Sequence, residues 1–325
     1  MPSANAGEKV RVLADLPVSP TIERLLSGRV ELLPWEAAQG AEARTIAAIY
    51  TYGHPRVDAA MLDRMPAVRV ISNFGVGVDH IDLSAAAARG VAVGNTPGIL
   101  DGATADLAFA LLLAAGRRLV EGDRYARGPD FVRYDPTFMI GREVHGSTLG
   151  ILGMGRIGEQ VARRARAFDM QILYHNRQRR PAVEEALGVR YVTRDELLAS
   201  ADYVMLTVPL TSQTHRLIGR AELARMKPTA ILINASRGAV VDTEALTEAL
   251  AARTIYAAAL DVTEPEPLPR EHPLLRLDNV IITPHLGSAT EQTRQRMAEV
   301  SIENLLAGLA GRPLPFPVVP ALSSK

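Results

Sequence analysis

The stretch Thr148-Leu-Gly-Ile-Leu-Gly153-Met-Gly155-Arg-Ile-Gly158 decides the fold, because it joins an apolar run directly to a Gly-x-Gly-x-x-Gly turn. The run predicts a strand, and the residues after the turn, Arg156–Phe168, predict a helix. The first glycine permits the tight turn, the second lets backbone N–H groups approach a pyrophosphate, and the third lets helix and strand pack closely. The start of the helix adds N–H groups and the positive end of its dipole. The predicted dinucleotide contacts here are Gly153, Gly155, Arg156, Ile157 and Gly158.

Short strand-forming runs alternate with helical stretches on both sides of this turn. Before it, strands are predicted at Lys9–Leu13, Val30–Leu33, Ile46–Thr51, Val68–Ser72 and Val91–Gly94. From the turn onward, six are predicted at Thr148–Leu152, Ile172–His175, Tyr203–Thr207, Ala230–Asn234, Tyr256–Asp261 and Val280–Thr283. This rhythm is typical of parallel sheets covered by helices, so the pattern predicts two doubly wound α/β domains. A length of 325 residues agrees with two domains.

Two further helices are predicted outside these alternating runs. Ala103–Arg118 carries leucines and a phenylalanine all round its axis, which predicts burial at an interface between domains or subunits. The last helix is predicted to open at Ser288-Ala-Thr-Glu291, a Ser-x-x-Glu capping box. Because this helix follows the complete second sheet, we expect it to pack back on the first domain.

The strand after the glycine turn ends in Tyr174-His-Asn176-Arg177-Gln178-Arg179-Arg180, with no acidic residue before Glu184. NAD-specific proteins place an acid here to bind the ribose 2′-hydroxyl. Asn176 can bind that hydroxyl instead, and the guanidinium groups of Arg177 and Arg179 can bind a 2′-phosphate. The turn therefore favours NADP(H), with NAD(H) possible; the alternative is a solvated basic turn.

The composition excludes several classes of protein. The 36 basic and 36 acidic residues give a net charge of zero, so no bulk attraction to nucleic acid or anionic membrane is expected. The absence of cysteine excludes disulfides and thiolate sites, and no apolar run approaches the roughly 18 residues of a membrane span. Met1–Glu8 does not resemble a signal peptide, and no histidine pair has metal-ligand spacing. We expect a cytoplasmic protein without a metal site.

Several further motifs resemble the D-isomer-specific 2-hydroxyacid dehydrogenases over nearly the whole chain, in the order of that family. They are Gly75-Val-Gly-Val-Asp-His-Ile-Asp82, Asn95-Thr-Pro-Gly98, Asn234-Ala-Ser-Arg237-Gly-Ala-Val-Val-Asp242, Leu260-Asp261-Val-Thr-Glu264-Pro-Glu266-Pro and Thr283-Pro-His285-Leu-Gly287-Ser-Ala-Thr290. Within the family, Asp261–Pro269 and the following His272-Pro-Leu-Leu275 look most like the glyoxylate/hydroxypyruvate reductases. The resemblance implies a flavodoxin-like substrate domain from residues 1–98 and 287–325, a Rossmann nucleotide domain from 99–286, and a cleft between them.

The resemblance also implies roles for individual residues. Arg237 would anchor the substrate carboxylate, His285 would donate a proton, and Glu266 would orient the imidazole and favour its protonated form. The backbone at Val76 and Gly77 would complete the carboxylate site. Further implied cofactor contacts are Thr104, Val208, Pro209, Thr214, Ala235, Arg237, Asp261, His285 and Gly287. The helix Ala103–Arg118 and the loop Tyr134–His145 are similar to the family's dimer-forming region, which implies a homodimer.

The implied activity is reduction of a small 2-oxo acid, glyoxylate or hydroxypyruvate, to the D-2-hydroxy acid. Other members of the same class remain open: reductases of 2-ketogluconate or hydroxyphenylpyruvate, and dehydrogenases of phosphoglycerate or phosphite. The chain ends soon after the last helix, which disfavours phosphoglycerate dehydrogenases that carry a regulatory domain. A nucleotide-sensing binding protein similar to the corepressors of this fold is a further alternative.

Overall fold

The computed structural model describes residues 9–15 and 17–318 of the chain. Residues 1–8, 16 and 319–325 lie outside the described residues. The chain divides into two compact units, one built from residues 1–100 and 290–325 and the other from residues 101–289. Among the helices that the structure describes, none is long and apolar enough to cross a membrane.

The first unit is a five-stranded parallel sheet in the order β2-β1-β3-β4-β5. Its strands are β1 (Val10–Ala14), β2 (Val30–Leu33), β3 (Ala48–Thr51), β4 (Val70–Asn73) and β5 (Ala92–Gly94). Its helices in this part of the chain are α1 (Pro20–Leu26), α2 (Ala59–Arg64) and α3 (Leu83–Ala88). β3 and β4 are buried along their whole length, and the buried polar side chains at their ends, Thr51, Ser72 and Asn73, form hydrogen bonds within the unit. This strand order is the flavodoxin-like one, as predicted.

The second unit is a seven-stranded parallel sheet in the order β12-β11-β10-β9-β6-β7-β8. Its strands are β6 (Thr148–Leu152), β7 (Gln171–His175), β8 (Arg190–Tyr191), β9 (Tyr203–Leu206), β10 (Ile231–Asn234), β11 (Ala257–Leu260) and β12 (Val280–Ile282). Its helices are α4 (Asp101–Gly116), α5 (Leu119–Arg127), α6 (Arg156–Arg166), α7 (Pro181–Leu187), α8 (Arg194–Ser200), α9 (Arg220–Arg225) and α10 (Thr243–Ala251). The two-domain parallel α/β prediction is confirmed. The prediction of six strands was wrong, because the two-residue edge strand β8 is too short to leave a sequence pattern.

The apolar helix predicted at Ala103–Arg118 is α4. It is buried within the second unit, where it packs against α6, β10 and β11. Leu107 and Leu113, on its other sides, are only partly buried. The all-round apolar pattern therefore corresponds to a helix that contacts both a sheet and a neighbouring helix.

The last helix, α11 (Glu291–Leu309), packs on the first unit against α1, β4 and β5, as expected. The predicted capping box was wrong, because the N-cap is Thr290, whose hydroxyl accepts a hydrogen bond from the Thr293 N–H at 3.2 Å. Ser288 lies instead in the preceding turn, where Ala289 N–H donates to the Leu286 carbonyl. The helix begins only after the chain has left that turn.

Candidate active site

The glycine turn has the geometry of a dinucleotide cradle. Gly153 has a φ of 104°, and a Cβ there would lie 2.7 Å from the Thr207 carbonyl carbon, so only glycine fits. A Cβ on Gly158 would collide with the Gly153 carbonyl oxygen, which shows how closely α6 approaches the turn. A Cβ on Gly155 would meet nothing within 4 Å. Protein packing therefore does not require glycine at 155, and the open space beside the start of α6 fits a pyrophosphate.

A cavity of about 1090 Å³ in the second unit adjoins this turn. It lies where the strand order reverses between β6 and β9, the usual ligand position in sheets of this kind. Of the predicted cofactor contacts, it is lined by Gly153, Gly155, Asn176, Arg177, Arg179, Val208, Pro209 and Thr214. It is also lined by residues that the sequence reasoning missed: Met154, Arg180, Arg194, Thr207 and Gln213.

Asn176 closes one side of the glycine turn. Its side-chain oxygen accepts from Met154 N–H at 2.7 Å, and its amide nitrogen donates to the Met154 carbonyl at 3.3 Å. The side chain predicted to bind the ribose therefore also fixes the backbone of the turn. The Thr214 hydroxyl has a similar local function, since it donates to the Pro209 carbonyl at 2.6 Å and so holds the loop after β9.

The three arginines of the basic turn have different partners. Arg179 forms a double hydrogen bond with Glu184, with distances of 2.8 and 2.7 Å. Hydrogen bonds from Arg179 and from Tyr174 lower the pKa of Glu184 to about 2. Arg180 forms an ion pair with Glu159 on α6 and also donates to the Met154 carbonyl at 2.9 Å.

Arg177 contrasts with both of these residues. Its guanidinium donates to the neutral side-chain oxygen of Gln213 at 3.2 Å, and among the described residues it forms no ion pair. The turn therefore presents one exposed guanidinium whose charge no described carboxylate neutralises.

Arg237 follows β10 on a loop that its own neighbours hold. The Asn234 amide donates to the Arg237 carbonyl at 2.9 Å, while its oxygen accepts from the Ser236 N–H and hydroxyl. The next residue is Gly238, where a Cβ would overlap the Thr263 carbonyl. Asn234 and Gly238 thus determine the backbone conformation of the loop that carries Arg237. Both residues lie within the motif Asn234–Asp242, so the sequence did contain a signal for them.

His285 and Glu266 form a hydrogen-bonded pair. His285 Nδ1 lies 2.7 Å from Glu266 Oε1, and the His285 backbone has a φ of 56°. Burial raises the pKa of Glu266, but the hydrogen bond from His285 and its charge lower it. The Thr263 N–H and the charge of Arg237 lower it further, so the pKa of Glu266 lies below its usual value. The carboxylate form is therefore the stable partner of the imidazole.

Asp261 forms several hydrogen bonds to the loop that carries His285. Its carboxylate is 2% exposed and accepts from Thr283 Oγ1 at 2.7 Å, from Leu286 N–H at 2.7 Å and from Gly287 N–H at 2.8 Å. The Asp261 carbonyl also accepts from the His285 N–H. Asp261 therefore fixes the turn that presents His285, a function that its position at a strand end did not reveal.

The other predicted contacts of the second unit lie near these groups. A Cβ on Gly287 would lie 3.3 Å from both Asp261 and Thr104, so these three residues converge. Ala235 is buried at the end of β10, and Ile157 packs partly on the core under α6. Arg156 is exposed, and its charge lowers the pKa of Asp101, which burial raises more strongly.

In the first unit, Val76 and Gly77 lie on the loop that leaves β4. Both are half-buried, and no described residue accepts a hydrogen bond from either N–H. The side chain before this loop, Phe74, is buried and packs on Tyr52 with ring centroids 4.9 Å apart. Half-buried N–H groups without a protein acceptor are suited to binding an anion.

Comparison with known proteins places these features in one family. The sequence profile of the D-isomer-specific 2-hydroxyacid dehydrogenase NAD-binding domain matches residues 109–287. A glyoxylate reductase from Korarchaeum cryptofilum is 52% identical over 252 residues, which cover 77% of this chain and 76% of the relative. A glyoxylate reductase from Aeropyrum pernix is 43% identical over 94% of both chains.

A solved structure shows the same relationship. The NADPH-dependent glyoxylate/hydroxypyruvate reductase of Sinorhizobium meliloti, solved with NADP and malonate, is 34% identical. It has a TM-score of 0.87, and the match covers 96% of this chain and 97% of that one. The chain therefore belongs to the D-isomer-specific 2-hydroxyacid dehydrogenases and is an oxidoreductase with a nicotinamide-dinucleotide-binding domain.

Proposed function

We propose that the chain reduces a small 2-oxo acid, glyoxylate or hydroxypyruvate, to the D-2-hydroxy acid, and that it prefers NADPH to NADH. The observation that carries the proposal is the 2.7 Å hydrogen bond between His285 and Glu266. Burial raises the pKa of Glu266, but the hydrogen bond and the charge of His285 lower it, and the charge of Arg237 makes a smaller contribution in the same direction. These three groups lie in the same unit as the glycine turn. The names of the archaeal and bacterial relatives support the choice of substrate.

The chemistry requires a hydride on the carbonyl carbon and a proton on the carbonyl oxygen. A bound reduced nicotinamide supplies the hydride. His285 donates the proton from Nε2, because Nδ1 faces Glu266 and remains hydrogen-bonded to that carboxylate. A carboxylate with a lowered pKa keeps this bond and stabilises the positive charge of the imidazole before the proton is transferred.

The substrate carboxylate needs a fixed anchor. Arg237 provides a planar guanidinium, which can bind the carboxylate and the 2-oxo oxygen together at a defined angle. We assign the N–H groups of Val76 and Gly77, in the first unit, as donors to a substrate carboxylate. Their lack of described acceptors supports this assignment.

The cofactor preference rests on the basic turn. Arg177 is the guanidinium that can exchange a neutral partner for a 2′-phosphate, whereas Arg179 is already paired with Glu184. The presence of NADP in the S. meliloti relative supports this preference. NADH use remains compatible with the turn, because Asn176 can also reach a ribose hydroxyl.

A homodimer is part of the same proposal. The segment after α5 exposes large apolar side chains, with Val132 and Tyr134 being 83% and 81% exposed. Phe131, Phe138 and Ile140 are exposed beside them. An apolar surface of this kind favours association with a second copy, which light scattering would show as twice the chain mass. The cytoplasmic location stays a prediction.

The proposal is tested by initial rates of cofactor oxidation. NADPH and NADH are each combined with glyoxylate, hydroxypyruvate, 2-ketogluconate and hydroxyphenylpyruvate, with His285→Asn as the inactive control. The expected result is fast turnover of the two smallest acids with NADPH. Turnover of only a bulkier acid would refute the proposed substrate, and a preference for NADH would refute the proposed cofactor preference.

A further inference from the structure

Asn73 is a buried polar residue at the end of β4 that contacts the backbone of the loop Gly75–Gly77. Its amide nitrogen donates to the Gly75 carbonyl at 3.0 Å and to the Gly77 carbonyl at 2.9 Å. Its side-chain oxygen accepts from the Thr51 hydroxyl at 2.8 Å, which fixes the orientation of the amide. Both polar atoms of this buried side chain are therefore used.

Asn95 holds the carbonyl that Asn73 does not reach. Its amide nitrogen donates to the Val76 carbonyl at 2.8 Å, and the Thr96 N–H donates to the Gly75 carbonyl at 3.0 Å. Asn95 is itself tied to α11, since the Asn304 amide donates to its backbone carbonyl at 3.0 Å. Every carbonyl of the loop Gly75–Gly77 thus accepts at least one hydrogen bond from the first unit.

Because the peptide bond is planar, these hydrogen bonds to the carbonyls also fix the direction of the N–H groups in the loop. In a planar trans peptide the C=O of one residue and the N–H of the next point in opposite directions. Fixing the Gly75 carbonyl therefore fixes the Val76 N–H, and fixing the Val76 carbonyl fixes the Gly77 N–H. Both N–H groups point away from the asparagine side chains, and no described residue accepts from them.

We propose that Asn73 and Asn95 are positioning residues, which orient the N–H groups of Val76 and Gly77 toward the carboxylate of the substrate. The inference rests on the proposed function of this loop as part of a 2-oxo acid site. Neither asparagine touches the substrate itself. Their hydrogen bonds hold two peptide planes in one orientation in the unliganded protein. Less conformational entropy is therefore lost when the loop binds an anion.

The test compares Asn73→Asp, Asn95→Ala and Ser72→Ala with the wild-type enzyme. Asn73→Asp keeps the shape and the acceptor for Thr51, but it removes both donors to the loop and adds a negative charge. Asn95→Ala frees one carbonyl without adding a charge. Ser72→Ala is the matched control, because Ser72 is the buried neighbour on β4 and donates to the Ser301 carbonyl at 2.6 Å, away from the loop.

Three quantities are measured for each protein: KM for glyoxylate and for NADPH, the dissociation constant of oxamate by calorimetry, and the urea midpoint. Loss of one hydrogen bond to a charged ligand weakens binding by about tenfold to a hundredfold. We expect Asn73→Asp to raise KM for glyoxylate and the oxamate dissociation constant by this factor, with KM for NADPH within about twofold of wild type. Asn95→Ala should act in the same direction, because it removes the one described donor to the Val76 carbonyl. Ser72→Ala should lower only the urea midpoint.

The outcomes separate this inference from the proposed function. If both asparagine variants lower the urea midpoint as Ser72→Ala does but leave KM and oxamate binding unchanged, the asparagines are only structural and the inference is wrong. If Asn73→Asp does not fold, the oxamate binding of Asn95→Ala decides alone. If the wild-type enzyme reduces no 2-oxo acid, the proposed function is wrong, and oxamate binding then tests the inference by itself. Weaker oxamate binding by the two asparagine variants than by wild type supports the inference. If wild type does not bind oxamate at all, both the inference and the proposed function are wrong.

Discussion

Replacement of Arg177 by alanine would separate the energetic role of one guanidinium from that of its two neighbours. In the structure Arg177 donates to the neutral Gln213 oxygen at 3.2 Å. A 2′-phosphate in its place would receive charge-assisted hydrogen bonds, each worth about 1.5–3 kcal/mol. Since 1.4 kcal/mol corresponds to a factor of ten, the loss for NADPH is about tenfold to a hundredfold. The exposure of the turn places the expected value nearer the lower figure.

NADH has no 2′-phosphate, so the same substitution should change its KM by less than about threefold. The ratio of kcat/KM for NADPH to that for NADH should therefore fall by about tenfold, measured with saturating glyoxylate. Raising the ionic strength should reduce the advantage of the wild type, because an exposed charge pair is screened by salt.

Arg179→Ala is the matched control, since Arg179 lies two residues away but is bound to Glu184 at 2.7 Å. Removing it should change both cofactors equally and only slightly, because its charge is already neutralised. Equal losses for NADPH and NADH in Arg177→Ala would refute the reasoning, and a larger NADPH loss in Arg179→Ala would show that its ion pair opens on binding.

Three further substitutions address the catalytic groups. Arg237→Lys should raise KM for glyoxylate by about tenfold or more, because an ammonium cannot donate two parallel hydrogen bonds; an unchanged KM in initial-rate assays would contradict the anchor. His285→Asn should lower kcat by at least about a hundredfold while fluorescence titration shows unchanged NADPH binding; near-normal turnover would refute the proton donor. The folded-state pKa of Glu266 lies below its usual value of 4.5, so the stability from its carboxylate is present above pH 4.5 and is lost as the pH falls through the folded-state pKa. Glu266→Gln should thus lower the urea midpoint at pH 7, and the difference from wild type should shrink as the pH is lowered below 4.5. Because the side chain is 40% exposed, the change in the free energy of unfolding is below about 1 kcal/mol, and a difference that does not change with pH would contradict the assignment.

The fold was predictable from the sequence because most of its strands are short runs rich in apolar residues, bounded by glycine and polar residues. β2 and β6 begin and end at the predicted residues. The two errors have physical causes. β8 contains only Arg190 and Tyr191, and such a short edge strand carries no periodicity.

The predicted start of α11 was wrong for a different reason. Ser288 and Thr290 can both cap a helix, and the capping box favoured Ser288 because Glu291 follows at the right spacing. The Asp261 carboxylate, distant in sequence, accepts from the Gly287 N–H and holds Ser288 in the turn after it. A tertiary hydrogen bond therefore moved the helix start by two residues, which local sequence could not show.

The same distinction explains which site residues the sequence could identify. The motifs supplied the residue types at Arg237, Glu266 and His285, and the structure brings the last two together at 2.7 Å. What the motifs could not supply is the supporting backbone, because Asp261 and Asn73 act through hydrogen bonds to loops and not through a recognisable spacing. Residues that hold a peptide plane have the same sequence signature as any polar residue at the end of a strand.

The basic turn shows most directly why charge in a sequence is not charge available to a ligand. Arg177, Arg179 and Arg180 are nearly adjacent, and composition alone gives each the same ability to bind a phosphate. Glu184 on α7 neutralises Arg179 and Glu159 on α6 neutralises Arg180, while Arg177 faces the loop after β9. The partners come from two different helices, so the packing of those helices on the sheet decides which of the three arginines keeps a charge that no described carboxylate neutralises. We therefore expect cofactor preference in this chain to depend on which ion pairs the fold completes, and the substitution of Arg177 tests that expectation directly.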